Sequence, residues 1–309
     1  MRIVFMGTPS FAVPTLEALA DHWPLVGVVT QPDRRAGRGR TLVASPVKEA
    51  ALERGLALYQ PETLRTSEAL KRLALWQPDL IVVAAFGQIL RKPVLTLPRL
   101  GCLNVHASLL PHYRGASPIS AVLLAGEAMT GASIMLMDEG MDTGPVLAQT
   151  ELSIAPDDTT GSLTAKLSQL GAELLSSTLP GWIDGQIVAQ PQDDARASYC
   201  SPLRKVDGRL DWTQAAEQLA RQVRAYDPWP GTYTYWNGKR LNVLGVRSHP
   251  QCRAEGSTGN VISFQDGIAV ITAQGVLELL EVQLAGRKPM SAGLFARGQR
   301  DLVGSRLET

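Results

Sequence analysis

The strongest constraint on the fold is the rhythm of the first hundred residues. Arg2-Ile-Val-Phe-Met6, Leu25-Val-Gly-Val-Val-Thr30, Leu56-Ala-Leu-Tyr-Gln60, Asp79-Leu-Ile-Val-Val-Ala-Ala-Phe86 and Gly101-Cys-Leu-Asn-Val-His106 are short apolar runs set apart by longer segments. Each is too short for a buried helix, and those between carry helical signals, so the runs read as interior strands. Ser45-Pro-Val-Lys48 has a capping serine and a proline at the first helical position. A second helix is expected over Ser67–Leu75, and Pro9 and Ser10 suit a helix start after the first strand. Strands alternating with helices at this spacing predict an α/β, doubly wound, mostly parallel sheet, whose ligands bind beyond the carboxyl ends of the strands. A dinucleotide site would need G-x-G-x-x-G after the first strand, and only Gly7 is present there.

The pattern changes in the last third. A helix over about Thr213–Arg224 is followed by short alternating strands: Thr232–Trp236, Lys239–Val246, Gly259–Phe264, Gly267–Thr272 and Val276–Gln283. Asn237-Gly238 is a strong hairpin signal. This suggests a small β-barrel of the oligonucleotide-binding kind. The expected organisation is a sheet domain over 1–189, a linker over 190–207 and a barrel over 208–309. Gly185–Gln192 is expected as one more short strand.

With 309 residues and a net charge of +1, the chain is not globally basic, so any nucleic-acid contact must rest on local patches. Cys102, Cys200 and Cys252 are far apart and odd in number, which gives neither a disulfide framework nor a CxxC metal pair. No metal is expected. A strand begins at the first residues, leaving no room for a leader peptide, and no apolar run is long enough to span a bilayer. A cytoplasmic monomer with no membrane contact is expected.

The chemistry concentrates in Gly101–Pro118. Asn104 and His106 lie two apart on a strand and so share a face, where an amide can donate to a carbonyl while an imidazole exchanges a proton. Ser108-Leu-Leu-Pro111 then ends the strand. An Asn-x-His pair is more often hydrogen-bonded structure than chemistry. A second polar cluster raises it: Met137-Asp-Glu-Gly-Met-Asp142-Thr-Gly144 follows the apolar stretch Ala132–Met137, and its Asp142 could complete a trio. Gln31–Arg40 carries Arg34, Arg35, Arg38 and Arg40 with two glycines, and reads as a mobile basic loop suited to phosphates.

These residues carry a resemblance. Phe5-Met-Gly-Thr-Pro9, Gln31-Pro-Asp-Arg34 with Ala36-Gly-Arg-Gly39, Ser45–Lys48, Leu100–His106 and Ser108–Pro111 are similar to the methionyl-tRNA formyltransferases. So are Arg114-Gly115, Asp142-Thr-Gly144, Pro228-Trp-Pro230 and Ala285-Gly286 ahead of Lys288–Ala292. The Asn, His, Ser-Leu-Leu-Pro and Asp-Thr-Gly set marks the wider folate-dependent group, and the basic loop with the C-terminal barrel narrows it to the tRNA enzymes. His112 and Tyr113 stand where some relatives carry Arg and Trp.

The resemblance implies a Rossmann-like catalytic domain and an oligonucleotide-binding-like domain that helps hold tRNA. It implies 10-formyltetrahydrofolate as donor, initiator methionyl-tRNA as acceptor and tetrahydrofolate as product. Asn104 and His106 would meet the oxyanion, with Asp142 orienting His106. Ser108, Leu109, Leu110 and Pro111 would line the folate site, with Phe86, Gly87 and Gln88 nearby. Arg34, Arg35, Arg38 and Arg40 would contact the acceptor stem, and Lys205, Arg209, Lys239, Arg240, Arg287 and Lys288 would extend that track. A formyltransferase acting on an amino sugar nucleotide shares the catalytic set but has no need of the basic arm. A formyltetrahydrofolate hydrolase or a non-catalytic RNA-binding protein would leave the barrel or the trio without a role.

Overall fold

A computed structural model describes residues 1–36 and 41–308, with the backbone alone of Arg35 and Ala36. Arg38 and Arg40 lie outside the described residues. The chain divides into two compact units. The first comprises Met1–Pro118, Ala128–Ile154 and Thr164–Cys200, and the second Ile119–Glu127, Ala155–Leu163 and Ser201–Thr309.

In the first unit the apolar runs become β1 (Ile3–Gly7), β2 (Leu25–Val29), β5 (Leu58–Tyr59), β6 (Leu80–Ala84) and β7 (Cys102–His106), all parallel. β9 (Met129–Leu136) adds antiparallel to β7, and β10 (Val146–Ser153) antiparallel to β9, giving the order β10-β9-β7-β6-β1-β2-β5. Every residue of β1, β6 and β7 is buried. Strands covered on both faces need no polar alternation, which is why they read as continuous apolar runs.

The helices begin where their caps dictate. Ser45 Oγ accepts from the Lys48 amide at 3.1 Å ahead of α2 (Pro46–Glu53), and Thr66 caps α3 (Ser67–Leu75) through the Ala69 amide at 3.2 Å. The sheet grows outward from β1 to β2 and β5, then returns beside β1 at β6 and continues to β7. That reversal places a crevice at the carboxyl ends of β1 and β6, beside the end of β7.

Three expectations are corrected. The basic stretch is not a plain loop at its ends: β3 (Arg34–Ala36) pairs antiparallel with β4 (Thr41–Val43), because the Thr-Leu-Val run supplies a strand partner. Gly185–Gln192 is not a strand and makes only a single bridge, Val146 to Gln190. Residues 190–200, expected as linker, belong to the first unit, where β11 (Tyr199–Cys200) pairs with β8 (Arg114–Gly115). The buried Arg114 side chain requires partners, and this stretch provides them.

The second unit is an antiparallel sheet. Its strands are β12 (Thr232–Trp236), β13 (Lys239–His249), β14 (Val261–Phe264), β15 (Gly267–Ile271) and β16 (Val276–Leu284), in the order β12-β13-β16-β15-β14. Asn237 (φ 49°) and Gly238 (φ 69°) are both left-handed, as the tightest hairpin requires. The last residues reach both edges of the sheet. Glu308 N donates to Tyr235 O at 2.9 Å, Leu307 N to Gly259 O at 2.9 Å, and Val261 N to Ser305 O at 2.9 Å. The tail thereby closes the sheet, and Leu307 joins the core with Trp212, Trp236 and Leu277.

Replacing this plug tests the closure. Leu307→Ala is expected to cost the second unit about 2–5 kcal/mol in denaturant unfolding, the usual range for a buried leucine truncated to alanine. An unchanged midpoint would mean that the tail does not hold the sheet shut.

Candidate active site

The end of β7 is built by its two neighbours. Asn104 lies opposite Val83 of β6 and Met135 of β9, and His106 opposite Ser133 of β9. Two residues apart, their side chains share a face, 9% and 6% exposed. Among the described residues the Asn104 side-chain amide has no hydrogen-bond partner. Its polar atoms are not enclosed, so water or a ligand can meet them.

His106 is held from two sides. Its Nε2 lies 3.1 Å from the Tyr113 carbonyl oxygen. A carbonyl only accepts, so Nε2 carries the hydrogen and Nδ1 is left to gain or lose a proton. Nδ1 faces Asp142 Oδ2 at 3.7 Å, within ion-pair reach of a protonated ring. Asp142 has left-handed backbone (φ 55°), a costly conformation for a side-chain-bearing residue. Its Oδ2 accepts from the Gly115 amide at 2.8 Å. The loop before it is folded by Asp138 Oδ1, which accepts from Gly140 N at 3.0 Å and Thr143 Oγ1 at 2.7 Å.

A buried polar knot fixes the turn after β7. Ser133 Oγ donates to Ser108 O at 2.6 Å and accepts from Leu110 N at 3.1 Å. Gln149 Nε2 donates to Leu110 O at 2.9 Å and to Ser133 Oγ at 2.8 Å. Ser108–Pro111 is thus a rigid rim, with Ser108 and Leu110 buried. On the β6 side Phe86 is buried, and its carbonyl accepts from Thr8 Oγ1 at 2.9 Å and Gln31 Nε2 at 3.3 Å. The Gln88 amide is engaged elsewhere, donating to Pro61 O at 3.2 Å and accepting from Leu64 N at 3.0 Å.

None of the nearby hydroxyls or thiols is prepared as a nucleophile. Ser108 Oγ donates to His112 O at 2.6 Å rather than to a base. Burial pushes the Cys102 thiol up to about 12 and raises that of Cys200 as well. Among the described residues no group of His, Cys, Asp and Glu gathers as metal ligands would. The arrangement can stabilise an oxyanion through Asn104 and move a proton through His106 and Asp142, for a nucleophile brought by a substrate.

The basic residues separate into groups. Arg34 Nη2 bonds Gln31 Oε1 at 3.2 Å, next to Asp33, which is braced by Lys48 at 2.5 Å and Gln60 at 2.8 Å. In the second unit a row forms across β12 and β13. The Arg209 guanidinium lies 5.5 Å from the Tyr235 ring, Tyr235 meets Tyr233 edge-on at 5.8 Å, and Arg240 lies 3.8 Å from the Tyr233 ring. Ala285 N donates to Arg240 O at 2.9 Å, which brings the turn carrying Arg287 and Lys288 beside the start of β13, where Lys239 sits. Lys205 is exposed in a short 3-10 turn, Lys205–Gly208.

Sequence reasoning missed the supports of this site. The Tyr113 carbonyl meets His106 from seven residues away, Ser133 and Gln149 hold the turn after β7, and Arg114 and Gln192 hold the Asp142 loop, and no local pattern marks any of them. Tyr233 and Tyr235 were legible as strand residues and not as guanidinium platforms.

Comparison with known proteins gives the family. The formyl transferase family model matches residues 1–179, and the model for the formyl transferase C-terminal domain matches residues 202–300. A methionyl-tRNA formyltransferase of Roseiflexus sp. (strain RS-1) is 50% identical over 309 residues, 99% of this chain and 95% of its own length. One from Thiobacillus denitrificans is 49% identical over 310 residues, 99% of both chains. Among solved structures, a sugar 3N-formyl transferase crystallised with dTDP and 5-N-formyl-THF superposes with a TM-score of 0.68 at 17% identity, over 93% of this chain and 99% of its own. An N-formyltransferase from Helicobacter canadensis, in complex with folinic acid and dTDP-3-aminofucose, gives 0.66 at 16%, over 90% and 98%. The structural likeness speaks for the fold, while near-half identity from end to end speaks for kinship, and on that identity the chain belongs to the methionyl-tRNA formyltransferase family.

Proposed function

We propose that this protein transfers the formyl group of 10-formyltetrahydrofolate to the α-amino group of methionine on initiator methionyl-tRNA. It would act as a cytoplasmic monomer, with the first unit, which extends to Cys200, carrying the chemistry and the second helping to hold RNA. The observation that carries the reading is the partnerless Asn104 amide, nearly buried beside a histidine whose free nitrogen faces a carboxylate. Relatives 44–50% identical over nearly the whole chain support tRNA as acceptor over an amino sugar nucleotide. The sugar-directed neighbours stand at 16–17%.

The site fits a folate. An amide donor without a protein partner awaits a carbonyl, and the half-buried Leu109 and Pro111 of the rim offer apolar surface beside backbone polar groups, whereas Phe86 and Leu110 are buried. When bound, the folate supplies the formyl group on a nitrogen that takes a proton as it leaves. Asn104 donates to the formyl oxygen, and its hydrogen bond strengthens as that oxygen becomes an oxyanion. His106 accepts the proton lost by the attacking amine at Nδ1, and Asp142 stabilises the resulting imidazolium. The same proton returns from Nδ1 to the departing nitrogen. Amine and formyl are thereby exchanged for formamide and secondary amine with no net proton change. The thiols and hydroxyls of the site form no covalent adduct.

The purified chain is expected to formylate methionyl-initiator tRNA from 10-formyltetrahydrofolate. Turnover only with an amino sugar nucleotide would overturn the acceptor. Asn104→Ala should lower kcat by about 10²–10³, the ~2.7–4 kcal/mol lost with one oxyanion donor, while folate affinity is kept. Near-wild-type turnover would remove Asn104 from the mechanism.

On the RNA side, the exposed Arg209 and Arg240, each seated on a tyrosine ring of the second unit, offer phosphate-binding charge. Arg240→Ala is expected to raise the KM for tRNA several-fold at unchanged kcat and to flatten its dependence on salt. An unaltered salt slope would take Arg240 off the RNA path.

A further inference from the structure

We infer that Gln192 is a positioning residue for the His106 and Asp142 pair, clamping the loop that carries the carboxylate to the strand that holds the imidazole. The inference rests on the catalytic reading given above. Gln192 Oε1 accepts from Arg114 Nε at 3.1 Å and from Arg114 Nη2 at 2.9 Å. Its Nε2 donates to Asp142 O at 2.8 Å and to Gly144 O at 2.7 Å. An amide has two donor hydrogens and one acceptor oxygen with two lone pairs, so all four positions are filled.

Both ends of this amide terminate on the site. Arg114 stands between the two residues that touch the trio: Tyr113, whose carbonyl meets His106 Nε2, and Gly115, whose amide donates to Asp142 Oδ2. A closed circuit runs from the Asp142 carboxylate through Gly115 and Arg114 to Gln192, and back to the Asp142 carbonyl. Two features of the circuit need holding. Asp142 has left-handed backbone at φ 55°. Gly115 at φ 115° lies so close to Cys200 that a Cβ would meet its carbonyl oxygen at 2.3 Å. The separation of Nδ1 from Oδ2 therefore depends on where Gln192 sets the Asp142 loop.

The simpler role would be to satisfy a buried charge. The Arg114 side chain is 1% exposed, and besides Gln192 it is met by Tyr199 Oη at 3.0 Å and Asp194 Oδ1 at 2.8 Å. The two roles separate chemically in Gln192→Glu. A carboxylate keeps, and strengthens, the acceptor for Arg114, but it cannot donate to the Asp142 and Gly144 carbonyls and repels both. Asp194 is 82% exposed and touches the circuit only through Arg114.

The test measures wild type, Gln192→Glu, Asp194→Asn, Asp142→Asn and the double variant Gln192→Glu with Asp142→Asn in formyl transfer. Gln192→Glu should lose about 10²-fold in kcat, the effect of a misplacement near 1 Å, while KM for both substrates stays within about twofold. Asp194→Asn should keep wild-type kcat. Once Asp142 is already Asn, adding Gln192→Glu should cost little more, because both act through one carboxylate. Should Gln192→Glu fail to fold, Gln192→Met is measured for the same split of kcat from KM. Wild-type kcat in either Gln192 variant, or losses that multiply in the double variant, would overturn the clamp and leave the formyl-transfer reading standing. Absence of transfer by the wild type would overturn that reading and the clamp with it.

Discussion

β7 is bound on one edge to a parallel strand and on the other to an antiparallel one, and the active site depends on this double pairing. Parallel pairing with β6 fixes where the strand ends relative to the crevice at the sheet's reversal. Antiparallel pairing with β9 sets Ser133 opposite His106, and β9 ends beside the start of β7, where Met137 N donates to Cys102 O at 2.8 Å, so the loop that follows must fold back to carry Asp142 to His106. A slip of one residue in β7 would carry Asn104 and His106 to the other face together. Full burial of all five β7 residues makes such a slip expensive, and so the chemistry inherits its placement from core packing.

Around this strand the polar groups are fixed by other polar groups rather than by packing. Ser133 and Gln149 hold the turn of Ser108–Pro111, and Arg114 with Gln192 holds the loop of Asp142. Buried networks of this sort stabilise only when each member is satisfied, and they then give one geometry in place of several. Against that background the Asn104 amide has no protein partner among the described residues, and it stays within reach of solvent, as the donor proposed for a substrate carbonyl must be. Raised thiols and engaged hydroxyls complete the picture, since they leave the substrate amine as the available nucleophile.

Much of this was legible in the sequence, and the boundary is a physical one. Strand runs such as Leu80–Ala84, the cap at Ser45 and the Asn237-Gly238 turn are local signals, and each stands where its residues indicated. The shared face of Asn104 and His106 was legible from their spacing on a strand, whereas Asp142 could only be offered as a third member, because the strand pairing that brings its loop near has no local signal. Hairpin β3–β4 was missed because glycine and arginine between two short runs read as loop, while strand pairing across them is decided by Thr41–Val43. Gln192 and Arg114 were invisible as partners because they are 78 residues apart, and a contact of that range leaves no spacing to read. The stretch 190–200 looked like linker for the same reason, being polar in sequence and ordered by what it binds.

In the proposed reaction the Asn104 amide waits for the formyl oxygen. A crystal structure of the protein with 5-formyltetrahydrofolate, a stable carrier of the same group, tests it most directly. The formyl oxygen is expected within about 2.7–3.1 Å of Asn104 Nδ2, with the formyl carbon on the His106 side of the crevice. A folate bound with its formyl group remote from Asn104, or an Asn104 amide satisfied by the protein once folate is present, would contradict it.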